Sequence, residues 1–362
     1  MSPSARDVAI VGSDQTIETA GEGWADAVGH PHHALQGVRL AELLLPVERH
    51  DLEHRLGDVL DGRRPSDQLE VHLRHISGHR VRRMLRLAAL QDDRGRVLCA
   101  LVTLQPSAIG ERVPDATILE AWDARRAVLL AQAVVDLDTR RSIRHELLLR
   151  LLTPEGDVVV PRDVMPVLVR HGRASELDRW VVDAALSLLL RSRERTPGVL
   201  EVNLSSAALA EPETFAAHLE RAVRGADIAP AQLVLAMDLG DVSRRPRGAA
   251  IVAQRAQTLG CRVALDHAQA TPRTLALLHR VPYDILRIDG ALVQASGSDP
   301  GKLMLLRALL RAVERDGTEP VAAEVRDDLA VALLQRNGVT RGQGFFLGAP
   351  RDAATLLLLD AP

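Results

Sequence analysis

The stretch Gln132–Arg150, QAVVDLDTRRSIRHELLLR, decides how this chain is read. Two apolar runs flank a polar turn, and the second run carries Glu146 and Arg150 on either side of Leu147, Leu148 and Leu149. Charged side chains are seldom buried unless they pair or bind something, so the two mark either a site or a buried ion pair at a strand end. Glu146 has the chemistry of a metal ligand and Arg150 that of a phosphate clamp.

Outward from this stretch, apolar β-type runs alternate with amphipathic helical segments. HELLLRLL, GVLEVNLSS, QLVLAMDLG, CRVALDHA, ILRIDGAL, PVAAEV and GQGFFLG are separated by stretches such as SELDRWVVDAALSLLLRSR and TFAAHLERAVRG. This alternation predicts parallel βα units closed into an α/β (β/α)8 barrel. Asn203, Asp266, Asp289, Glu324 and Gln343 stand at or near the ends of these runs. In such a barrel the site forms where the C-terminal ends of the strands converge, and Glu146 joins that set.

The first hundred or so residues follow another pattern. A short strand at Val8–Gly12, a second strand and a helix start in SDQTIETAGEGWADAVGH, and a helical run broken by Pro46 and stopped by Gly62 precede three strands. Those strands, QLEVHLRH, VRRMLRLAAL and RVLCALVTLQ, are joined by turns at Ser77-Gly78 and Asp92–Gly95. A hinge punctuated by Pro and Gly runs from Pro106 to Pro114, and TILEAWDARRAVLL has the spacing of a connecting helix. The expected division is a smaller α+β domain at 1–108, a linker helix at 109–127 and the barrel at 128–362, which suits a chain of 362 residues.

The 46% hydrophobic and 26% charged fractions are those of a soluble protein, and with 2% aromatics the core falls to Leu, Val and Ala. A formal charge of -3 with dispersed basic residues argues against nucleic-acid binding, and neither a helix-turn-helix nor a basic arm is present. Cys99 and Cys261 sit in apolar runs and read as buried thiols in a reducing compartment. No run approaches the roughly 18 apolar residues of a membrane span, and Met1–Ala20 lacks the layout of a signal peptide, so a cytoplasmic protein is expected.

Residues 1–108 resemble a PAS sensory domain, and LAELLLPVERHDLEHRL followed by HRVRRMLRL carries the likeness. The resemblance implies ligand sensing or homodimerisation through this domain and the linker helix, and leaves the PAS ligand unassigned. Gly29-His30-Pro31-His32-His33 has haem or metal ligands to offer, but three His beside a Pro in a polar loop read as solvent-exposed. No cofactor is expected there.

From about Gln132 to Pro350 the chain resembles an EAL domain, the family of barrel phosphodiesterases that open cyclic di-GMP with two divalent metals. QAVVDL, ELLLR, TPEGDVVVPRDVMP, LDRWVV, VNLSS, VALDHA, PYDILRID and GQGFFLGAP follow one another in the family's order and spacing. Such a site needs several hard oxygen ligands to hold two Mg²⁺ or Mn²⁺ ions. By this resemblance Glu146 and Asn203 match first-metal ligands, Asp266 and Asp289 match further site positions, and Gln343 matches a water-positioning glutamine. Ala236 stands where the family has a glutamate, His267 where it has a second aspartate, and Arg287 where it has a lysine. Ala323 matches a later glutamate. Glu324 lies one place along and faces the other way unless the strand slips by one. The loop AQATPRT lacks the family's glycines and aromatic.

With at least three carboxylate ligands missing or altered, the resemblance implies a barrel that is not an enzyme and holds no metal. It would act by binding a signalling partner protein or cyclic di-GMP. Gln132, Arg150, Arg287 and Gln343 match positions that face phosphate or guanine, and Arg suits a bidentate grip on phosphate. The alternative is an active phosphodiesterase whose Mg²⁺ or Mn²⁺ site is assembled from Glu146, Asn203, Asp238, Asp266, His267 and Asp289. No diguanylate cyclase domain is evident between the two parts.

Overall fold

The computed structural model describes residues 5–30, 32–75, 80–92, 94–105, 113–154, 157–192, 198–313 and 317–355. They fall into two compact units, residues 1–127 with 151–163, and residues 128–150 with 164–362. The Ser77-Gly78 turn, most of the Pro106–Pro114 hinge, Pro31 and the side chains of His32 and His33 lie outside the described residues.

The first unit is built on an antiparallel sheet of β1 (Val8–Val11), β2 (Ile17–Ala20), β3 (Ser66–Arg74), β4 (Arg80–Gln91) and β5 (Val97–Gln105), in the order β2-β1-β5-β4-β3. Alternation explains its faces: Leu85 and Leu87 of β4 are buried while Arg86 between them is exposed. The helix Pro46–Leu60 packs on β3, β4 and β5, and Leu52, Leu56 and Val59 fill the space beneath it. Pro46 opens that helix, where its missing N–H costs nothing, and the preceding LAEL forms a separate 3₁₀ turn. Of the connecting helix expected through TILEAWDARRAVLL, Asp115–Asp123 is helical with Ile118 and Trp122 buried, while Ala127–Leu130 are strand, the start of β6.

In the second unit a closed barrel contains β6 (Ala127–Asp136), β7 (Ser142–Leu152), β9 (Leu200–Leu204), β10 (Leu233–Asp238), β11 (Arg262–Ala268), β12 (Ile285–Ile288), β13 (Glu319–Ala322) and β14 (Arg341–Gly342), with β6 also paired to β7. A short strand, β15 (Arg351–Asp352), pairs with β6, and β8 (Val158–Val159), in the first unit, pairs with Leu151 and Leu152 at the end of β7. From β7 round to β14 neighbouring barrel strands are parallel, but β6 runs antiparallel to β14. β6 stands outside the parallel βα units for a simple reason: only residues 137–141 join it to β7, and a parallel crossover needs about a dozen residues.

Cys99 and Cys261 are buried free thiols. No helix of the described residues is long and apolar enough to cross a membrane.

Candidate functional site

Strand parity assembles the centre of the barrel. Inward positions recur every second residue, so Arg144, Glu146 and Arg150 share one face of β7, Glu201 and Asn203 one face of β9, and Ala236 and Asp238 one face of β10. Register then sets neighbours side by side: Glu146 opposite Glu201, Asn203 opposite Ala236, and Asp238 opposite Asp266. Two carboxylates on adjacent strands would repel each other without a counter-charge.

Arg287, inward on β12, supplies that charge. Its guanidinium bonds Glu146 Oε2 at 3.0 Å, Gln343 Oε1 at 2.5 Å and Glu201 Oε1, and lies 3.3 Å from Asp266 Oδ1. Glu146 also accepts from Asn203 Nδ2 at 2.7 Å and from Gln343 Nε2 at 2.8 Å. The network continues through Glu201 to Arg144 at 3.0 Å, and from Arg144 to Glu319 at 2.6 Å. Arg262 completes it at 2.9 Å from Glu319. Arg287, Glu146 and Glu201 are 5%, 5% and 0% exposed, so these pairs act with little screening.

Burial alone would depress the pKa of Arg287, but Glu146, Glu201 and Asp266 around it drive it well above the ordinary arginine value. Against the same burial, Arg287 and the bonds from Asn203 and Gln343 hold Glu146 below the usual carboxylate range. Asp266 goes the other way: burial raises its pKa, and Arg287 and His267 offset this only in part.

At the strand ends the groups are differently engaged. Alternation would turn His267 outward, yet a break in the β11 register and a φ of 58° re-aim it, placing Nδ1 3.1 Å from Asp238 Oδ2 and 3.6 Å from Asp266 Oδ2. The Asp238 hydrogen bond, joined by the charges of Asp266 and Asp238, raises its pKa to about 9 against the pull of burial. Asp238 and Asp289 also cap helices, accepting from Asp241 N at 3.0 Å and Ala291 N at 2.9 Å. Gln132 donates to the Gly348 carbonyl at 3.0 Å. Ala236 is buried, a methyl at the centre of the barrel. Ala323 follows the last residue of β13, and the exposed Glu324 pairs with Arg326 at 3.1 Å.

Arg150 stands apart. Among the described residues its guanidinium donates one hydrogen bond, to the Leu149 carbonyl at 2.7 Å, and it is half-buried, which depresses its pKa although Glu146 pulls the other way.

A two-metal cluster does not fit these groups. The carboxylates of Glu146, Glu201 and Asp266 face a guanidinium, and Ala236 and Ala323 offer only methyl groups. Among the described residues no group of three or more His, Cys, Asp or Glu is arranged to hold a metal ion. Sequence reasoning missed Glu201, Arg144, Glu319 and Arg262. A signal existed, since Arg144 and Glu201 each lie two residues before a recognised site residue and so share its inward face.

Comparison with known proteins agrees with this architecture. A model of the EAL domain matches residues 115–350, and a model of the PAS fold matches residues 4–108. The Escherichia coli cyclic di-GMP phosphodiesterase PdeF is 23% identical over 233 residues, 64% of this chain and 31% of that protein. The Pseudomonas aeruginosa bifunctional diguanylate cyclase/cyclic di-GMP phosphodiesterase MucR is 25% identical over 244 residues, 66% of this chain and 35% of its own length. The chain thus spans about a third of these two relatives. The crystal structure of the FimX EAL domain from Pseudomonas aeruginosa bound to c-di-GMP superposes with a TM-score of 0.61 at 26% identity, covering 70% of this chain and 99% of that one. With a matching barrel and a family match over more than half of its length, the chain belongs to the EAL domain family and carries a PAS fold ahead of the barrel.

Proposed function

We propose that this signalling protein binds cyclic di-GMP without hydrolysing it. The observation that carries the reading is the contrast between two arginines. Arg287 meets three carboxylates in the region where metal donors would be required, while Arg150, on the inward face of β7, has no carboxylate partner among the described residues. A half-desolvated, unpaired guanidinium is a ready partner for a phosphate. The FimX EAL domain seen with cyclic di-GMP supports the choice of ligand.

Incubating the full chain with cyclic di-GMP and either Mg²⁺ or Mn²⁺ is expected to give no linear product. Calorimetry is expected to show micromolar or tighter binding that Arg150→Ala abolishes. Turnover of the nucleotide would establish the phosphodiesterase alternative. Absence of heat at high nucleotide concentration would leave the barrel as a surface for a partner protein.

A further inference from the structure

We infer that the N-terminal face of the barrel, the end away from Arg150, carries a second binding site, one for a nucleoside di- or triphosphate. Two grooves meet there at Thr318, just before β13. The first, of about 420 Å³, lies between the last turns of the helices Pro300–Val313 and Asp328–Arg336. The second, of about 510 Å³, is formed largely by the segment that leads into β12. Both have the size of small-molecule sites, roughly 300 to 1,000 Å³.

Their charge is one-sided. Arg307, Arg311 and Arg336 line the first groove, His279 and Arg280 the second, and among the described residues no Asp or Glu lines either. The chain as a whole has a formal charge of -3, so a concavity with four arginines and no acid departs from its average. Arg307 and Arg311 stand one helical turn apart and share a face. Arg307 Nε donates to Asn337 Oδ1 at 2.8 Å, and Asn337 Nδ2 donates to the Leu333 carbonyl at 2.7 Å, so this guanidinium is held across both helices. Arg280, Arg311 and Arg336 are exposed and pair with no carboxylate among the described residues. A basic residue in a last turn complements the helix dipole, which accounts for Arg311 and Arg336 singly. It does not account for both ends facing one groove with Arg307 and without a counter-charge. A cleft lined by one sign of charge concentrates anions, and each guanidinium can give a phosphate two parallel hydrogen bonds.

The second groove adds what a nucleoside requires. Leu278, Val281 and Pro282 give it apolar walls, and Tyr283, the single tyrosine of the chain, offers a partly exposed ring on which a base can stack. Phosphates among the three arginines leave the nucleoside beside Tyr283, across Thr318. This site lies at the opposite end of the barrel from the one assigned to cyclic di-GMP and does not depend on it.

Calorimetry on the full-length protein in chelator-containing buffer tests the inference with ATP, GTP, tripolyphosphate and adenosine. ATP or GTP is expected to saturate one site in the micromolar range and to weaken as salt is raised. Tripolyphosphate should bind less tightly and adenosine should give no heat. Arg311→Ala combined with Arg336→Ala should weaken nucleotide binding by about tenfold or more without moving the melting curve. Tyr283→Ala, or Tyr283→Leu where the alanine variant does not fold, should weaken ATP or GTP and leave tripolyphosphate unchanged. Arg150→Ala should bind ATP or GTP as the native chain does. The inference is overturned by the absence of saturable nucleotide binding, by tripolyphosphate binding as tightly as the nucleotides, or by a double arginine variant that binds them normally. Loss of ATP and GTP binding in Arg150→Ala would place the nucleotide at the other end of the barrel and overturn it too.

Discussion

The core of the first unit is built on one apolar cluster that includes Ile17, Trp24, Leu52, Leu56, Leu73, Leu85 and Leu87. The centre of the barrel instead carries Arg144, Glu146, Glu201, Asp266 and Arg287, linked by contacts of 3.3 Å or less, above a small apolar plug that includes Val134, Val234 and Ile285. An apolar core sums many weak contacts and yields gradually to truncation. An ion network is conditional, because each member is tolerable only while its partners remain.

The largest expected effect breaks that comparison directly. Glu201→Leu strands two buried arginines on one side each and should destabilise the chain by about 4 kcal/mol in denaturant unfolding. Leu85→Ala, which opens a cavity in the first unit, should cost about 3 kcal/mol. The two differ in what repairs them. Replacing Arg144 by Met alongside Glu201→Leu should restore much of the loss, since a matched apolar set is often no worse than a buried pair. No second truncation beside Leu85 can do so. If Arg144→Met deepens the loss, the network is not conditional in this sense.

The same contrast explains how much of the molecule could be read in advance. Apolar alternation is a local property of a strand, so the β4 pattern around Leu85 and Leu87 and the runs of the barrel were visible in the sequence. The inward face of Glu146 and Asn203 was legible for the same reason. The partner of Arg287 was not, because Glu146, Glu201, Asp266 and Gln343 lie 141, 86, 21 and 56 residues away and meet only through barrel closure. The family resemblance matches Arg287 to a position facing phosphate or guanine, whereas its three carboxylate neighbours follow from register. His267 was misleading in another way, since its left-handed backbone reverses the facing that alternation assigns.

Asp178 sharpens the comparison with a third kind of burial, a carboxylate without an ion pair. It accepts from Ser205 N at 2.8 Å, Ser205 Oγ at 2.7 Å and Ala208 N at 3.1 Å, tying the helix Ala174–Ser192 to the loop that follows Asn203. Burial nevertheless raises its pKa from 3.8 to about 6. The folded chain therefore holds this proton more tightly than the unfolded one. Its stabilising contribution is complete below pH 3.8 and is lost as the pH rises through about 6, by up to roughly 1.4 kcal/mol per pH unit. Asp178→Asn should flatten that slope in unfolding experiments between those limits. An unchanged slope would mean that the three donors hold the carboxylate charged.

The smallest effect belongs to Glu324, the residue that a one-place strand slip would have carried into the site. β13 ends at Ala322, Glu324 sits at a φ of 53°, and its exposed carboxylate meets Arg326 at 3.1 Å. Such a surface pair contributes little, because water screens it and two long side chains must be held in place. Glu324→Gln should therefore shift unfolding by less than about 0.5 kcal/mol and leave calorimetric binding of cyclic di-GMP as it is in the native chain. A loss on the scale of Glu201→Leu would place Glu324 inside the barrel. The ion network would then hold one more carboxylate, and Arg287 would face more negative charge than one guanidinium can balance.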